Sequence, residues 1–134
     1  MKVTTTKGEL VNLMNGLYDV KTLKGRTFGL NVCSNIDSIK DCLQDLEEKS
    51  SPTPEFVKLS EQMHKLTMEE QPSEKIQALE EENIDIIEGR KLQIKEVRAI
   101  LTEDVSLNLE ELKKDSLPEE ISADQIMKLK LILV

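Results

Sequence analysis

The chain has 134 residues, 33% charged and 38% apolar, with a formal charge of −8; it is long enough for one ordinary domain with one core and too apolar to be fully disordered. Two Phe, one Tyr and no Trp leave the core to Leu, Ile, Val and Met, which suits helix packing. The acid is uneven, with eleven acids against four Lys in residues 44–82 but five basic residues against Glu9 and Asp19 in residues 1–26, so the middle reads as a solvated acidic face and nucleic acid is not expected as the main partner.

Met1 to Thr5 is short, β-branched and alternating, which predicts a strand with Val3 inward. Thr6-Lys7-Gly8-Glu9 spells a capping box. The helix that it opens carries Leu10, Leu13, Met14 and Leu17 on one face, and Gly16 with Asp19 predicts fraying soon after.

After the basic connection Lys21 to Gly25, a helix is expected from between Arg26 and Leu30 to about Lys49. Val32, Ile36, Ile39, Leu43 and Leu46 recur at spacings of four, three, four and three, a heptad seam that another helix must cover. Cys33 and Cys42 lie about 180° apart around that helix at about 100° per residue, so they do not bond to each other. They read as small apolar side chains beside the seam, in a reducing compartment.

Ser50-Ser51-Pro52-Thr53-Pro54 ends the seam helix and starts the next, with Thr53 as cap and Pro54 at the first helical position. Phe56, Leu59, Met63 and Leu66 form its stripe. Gln71-Pro72-Ser73 predicts a further break, and a long helix from about Glu74 to Leu101 follows. Its apolar residues Ile76, Leu79, Ile86, Ile87, Ile94, Val97 and Leu101 wander around the helix, and Asn83 and Arg90 occupy apolar heptad positions, where a polar residue either sets register or sits at the rim of the contact.

At Glu103 the period changes to two. Val105, Leu107 and Leu109 predict a half-buried strand whose comparable partner is Met1 to Thr5, so the two terminal segments are expected to meet. Leu117-Pro118 marks a loop, and Ser122-Ala123-Asp124-Gln125 is a second capping box. The last helix bears Ile126, Met127, Leu129, Leu131, Ile132 and Leu133 on more than one face, as a buried element or an association surface.

The expected fold is mainly α: one domain over 1–134, in which 26–101 form an antiparallel helical hairpin or coiled-coil arm and 1–25 with 102–134 form a small α+β head. A helix of about 25 residues spans nearly 40 Å. The seam lacks an equally apolar partner in its own chain, which implies a homo-oligomer or a target protein against Val32, Ile36, Ile39, Leu43 and Leu46. The tail residues Ile126, Leu129, Leu131 and Leu133 offer a second candidate interface, with Asn83 and Arg90 as register residues.

Catalytic chemistry is not expected. His64 is the sole imidazole, and Glu61-Gln62-Met63-His64 is one copy of a motif that a helical di-metal site needs twice. One His and two Cys on opposite faces do not make a four-ligand zinc site, and glycines at 8, 16, 25, 29 and 89 form no phosphate loop. No cofactor or metal is implied. Lys2, Lys7 and Glu9 interrupt any secretory apolar core, and no run approaches the roughly 20 apolar residues of a membrane span.

The chain resembles small, mostly uncharacterised proteins encoded by tailed bacteriophages. The likeness rests on the opening strand with Lys7-Gly8-Glu9-Leu10 and its Leu-rich helix, the helix containing Asn35, the charged helical hairpin, and Leu101 to Leu109 ahead of Leu117-Pro118. It implies a phage source, a place in the host cell cytoplasm or the virion, and action by contact with a host or phage protein. It brings no catalytic residues. The expected function is inhibition of a host machine or defence by binding, and the alternative is a minor virion or assembly protein.

Overall fold

The computed structural model describes residues 1–69 and 73–134. The elements in chain order are β1 (Lys2–Thr6), α1 (Lys7–Val20), α2 (Arg26–Cys42), α3 (Gln44–Ser50), α4 (Pro54–Thr67), α5 (Ser73–Glu82), α6 (Ile84–Leu101), β2 (Asp104–Asn108) and α7 (Ala123–Lys128), with 3₁₀ turns at Lys114–Ser116 and Lys130–Ile132. The fold is mainly α, about 70% helical. The predicted break at Gln71-Pro72 lies outside the described residues.

The chain divides into two compact units, one of Met1–Asp45 with Ile100–Val134 and one of Leu46–Ala99. In the first, β1 and β2 pair antiparallel, with Val3 opposite Leu107 and Thr5 opposite Val105, so the terminal segments meet as the alternation predicts. Beyond the strand ends, the Met1 ammonium donates to the Leu109 carbonyl at 2.7 Å and the Leu109 amide donates to the Met1 carbonyl at 2.9 Å. The Lys7 amide donates to the Glu103 carbonyl at 3.0 Å at the other end. A two-stranded ribbon is marginal alone; here Val3 is buried on its inner face, and β1 leads without a loop into α1.

Helix α1 buries Leu10, Leu13, Gly16, Leu17 and Val20. It does not fray at Gly16, because that glycine is where α7 comes closest: a Cβ there would lie 2.7 Å from the Lys128 Cβ and 3.2 Å from the Lys128 carbonyl oxygen. At its start the Thr6 hydroxyl accepts the Glu9 amide at 3.2 Å, half of the predicted box. The other half is replaced, since the Glu9 carboxylate accepts the Thr5 hydroxyl.

Gly25, at φ +133°, turns the chain into α2 through a left-handed conformation that a side chain disfavours. Helix α2 packs on α1 and buries Phe28, Val32, Asn35, Ile36 and Ile39. This departs from the expectation that residues 26–101 form one arm: α2 joins the terminal segments because its apolar face completes their core. The single seam helix is also divided, with Leu43 lying outside both α2 and α3 at φ −99°, ψ 6° while its amide still reaches the Ile39 carbonyl at 3.0 Å.

The tail closes the first unit differently from the long helix expected. Ser122 forms the full capping box with Gln125, but α7 ends at Lys128. The chain then bridges Leu112 in parallel through Leu133, with the Leu112 amide donating to the Ile132 carbonyl at 2.8 Å and the Val134 amide to the Leu112 carbonyl at 2.9 Å. Leu109, Leu112, Leu129 and Ile132 are buried there.

In the second unit, Thr53 caps α4 by accepting the Phe56 amide at 3.2 Å, with Pro54 in the first turn as predicted. Helix α4 packs on α5. The expected helix over 74–101 is interrupted at Asn83, whose Nδ2 donates to the Leu79 carbonyl at 2.9 Å and shares it with the Asn83 amide at 3.2 Å. Among the described residues of this unit, Leu46 and Leu59 are the buried apolar side chains.

Candidate interaction surface

The structure places the five seam residues in the interior. Val32 and Ile39 are fully buried, and Ile36, Leu43 and Leu46 are 9% exposed or less, so the stripe is core and presents no face to a partner. The premise that the seam lacks cover within its own chain is thereby corrected: its residues are buried, and over its α2 part the cover includes α1, which packs on α2. The tail is corrected likewise. Leu129 is fully buried, Ile126, Leu131 and Leu133 are half-buried, and Met127 and Val134 are what remains open.

The register residues have defined partners. The Arg90 guanidinium donates to the Ser50 carbonyl at 3.1 Å and to Gln93 Oε1 at 2.9 Å, and lies 5.6 Å from the Phe56 ring centre. Gln93 Nε2 donates to the Lys49 and Ser51 carbonyls at 2.6 Å each. Two side chains of α6 thus satisfy carbonyls at the C-terminal end of α3, which no intrahelical donor reaches. Asn83 instead bonds within its own chain turn and marks the α5–α6 break.

Hydrophobic surface remains open on the 46–99 unit. Val57 is 41% exposed, Ile84 55%, Leu92 58% and Met68 77%. A shallow apolar hollow of about 490 Å³ runs along α4 between Pro52, Phe56, Val57, Ser60, Glu61, His64 and Lys65. The same unit holds eight Lys and Arg against thirteen Asp and Glu, a net of −5. Ile84 and Leu92 belong to no predicted stripe; their signal in the sequence is that the apolar positions circle the 74–101 helix, more than one buried stripe can use.

His64 and Cys33 are exposed and Cys42 is half-buried, and the two thiols are unbonded. Cys33 therefore does not act as a packed apolar residue. Among the described residues no group of three His, Cys, Asp or Glu is placed to hold a metal ion, and no helix is long and apolar enough to cross a membrane. Among the described residues the pKa of Lys128 is clearly shifted, raised above its usual 10.5, chiefly by its hydrogen bond to Asp19 and then by the charge of that carboxylate, at 2.7 Å.

No protein-family model, no curated protein and no solved structure matches the chain.

Proposed function

We propose that the chain is a non-enzymatic protein that acts by binding another protein, and that the 46–99 unit carries the contact. The observation behind this reading is the exposure of Val57, Met68, Ile84 and Leu92 on a unit with so little buried apolar surface of its own. Apolar groups left in water are stabilised by a partner that covers them. The resemblance to phage proteins adds a source and a setting: a host or phage target in the infected cell, with inhibition of a host defence as the role. The burial of the seam removes the reason for a second copy against it.

The test is affinity capture from infected-cell lysate with the full chain immobilised, beside a variant carrying Val57→Asp, Ile84→Asp and Leu92→Asp and a control carrying Met127→Asp on the other unit. A specific protein should be held by the native chain and the control and lost by the triple variant. Capture of nothing above blank resin, or capture indifferent to the triple substitution, overturns the reading.

A further inference from the structure

We infer that the junction of α5 and α6 is a docking face for a basic amphipathic helix of another protein; this rests on the binding function proposed above and gives its partner a chemical class. Ile84, 55% exposed, and Ile87, half-buried, line a shallow hollow of about 270 Å³ together with Glu80, Glu81 and Glu88. Residues 76–89 contain five acids and no Lys or Arg. Among the described residues no cation lies within ion-pair distance of Glu80 or Glu81, and Glu88 reaches Lys91 at 3.5 Å.

Acids alone are explained by solvation, and an isoleucine more than half exposed beside them adds apolar surface that a partner can cover. The carboxylates repel one another and are relieved by an approaching cation, while Ile84 and Ile87 are relieved by apolar cover. One ligand meets both demands: a helix with an apolar stripe at three- and four-residue spacing and Lys or Arg flanking it. A second copy of this chain paired through this same face would bring like charge to it, which costs affinity, and nucleic acid carries the wrong sign. Lys91 already neutralises Glu88, so the cations of the partner lie over Glu80 and Glu81 and its apolar side chains over Ile84 and Ile87.

The experiment titrates the full chain into a fluorescein-labelled synthetic helix of about five turns, with Leu at helical spacing and Lys on both flanks, followed by anisotropy. Binding is expected at about 10 mM salt and should fade toward about 0.5 M. Glu80→Lys with Glu81→Lys should weaken it about tenfold, as should Ile84→Ser, whereas Glu119→Lys with Glu120→Lys, the same charge change elsewhere, should leave it within about twofold. The inference is overturned if the peptide does not bind, if both charge reversals weaken it equally, or if a peptide of shuffled order binds as well. It is also overturned if light scattering shows a dimer that Ile84→Ser dissociates, since a second copy then holds the face. Should any of these occur while capture from lysate still depends on the exposed residues, this inference fails and the binding function stands.

Discussion

Asn35 and Glu110, 75 residues apart, are joined by two hydrogen bonds: Asn35 Nδ2 donates to the Glu110 carbonyl at 2.9 Å, and the Glu110 amide donates to Asn35 Oδ1 at 2.7 Å. The side-chain amide thus pairs with the backbone as a neighbouring strand would, just beyond the end of β2. Asn35 is 1% exposed on the buried face of α2. It ties that helix to the segment through which Leu112 meets the tail.

Asn35→Ala removes both bonds and strands a backbone donor and acceptor, so chemical denaturation should show a loss of about 2–4 kcal/mol. Asn35→Asp keeps the acceptor for the Glu110 amide but turns a carboxylate toward the Glu110 carbonyl. That group favours its neutral, donating form when folded, so its folded pKa lies above its unfolded one. The defect should be largest at neutral pH and shrink as pH falls through that raised value. Equal stability losses for Asn35→Asp at pH 7 and pH 4 would count against this geometry.

Gly16 should respond in the opposite direction to Gly29 and Gly89. A Cβ at Gly16 meets the Cβ and carbonyl of Lys128, atoms that cannot swing aside as a side-chain tip could. Gly16→Ala should therefore cost about 1–3 kcal/mol of overpacking, offset by at most about 1 kcal/mol of helix propensity. Nothing lies within 4 Å of a Cβ at Gly29 or Gly89, so Gly29→Ala and Gly89→Ala should each stabilise by about 0.5–1 kcal/mol. Thermal melts of the three variants decide it.

Patterns that depend on neighbours in sequence were legible beforehand. The period-two runs gave the β1–β2 pair, and Thr53-Pro54 and Ser122 gave helix starts that the structure bears out. Partners distant in sequence were not. The stripe Val32 to Leu46 looks the same whether another helix or several short elements cover it, so its burial carried no record of what buries it. Asn35, three residues after Val32 and four before Ile39, was the visible clue to a buried polar pairing, because an amide on an apolar face needs a partner. The α2–α3 and α5–α6 interruptions at Leu43 and Asn83 carry no Pro or Gly, which is why residues 28–48 and 74–101 read as unbroken. The open apolar face was obscured because Ile84 and Leu92 follow no stripe.

The Lys128–Asp19 contact has a pH signature. Asp19 raises the folded pKa of Lys128 above 10.5, so the stabilisation is fully present below the unfolded lysine pKa and is lost as pH rises through the higher folded value. Both side chains are about half exposed, so salt should weaken the contact. In Asp19→Asn the Lys128 pKa, followed by the NMR shift of its ε carbon, should fall back toward 10.5. An unchanged titration would mean that Asp19 is not the cause.

Arg90 and Gln93 should act as one unit in stabilising residues 46–99. Arg90 bonds to Gln93 as well as to the Ser50 carbonyl, and Gln93 takes the carbonyls on either side of it, Lys49 and Ser51. Removing either side chain loosens the other, so the second deletion finds less to remove. Each of Arg90→Ala and Gln93→Ala should cost about 1 kcal/mol or somewhat more for the lost hydrogen bonds. The double variant should cost less than the two together by about 0.5 kcal/mol or more. Hydrogen exchange places the effect: amides of α3 and the start of α4 should lose protection in both single variants, while those of β1 and α1 keep theirs. Strict additivity in the cycle, or loss of protection spread evenly over the chain, would show that the two residues do not hold the end of α3 together.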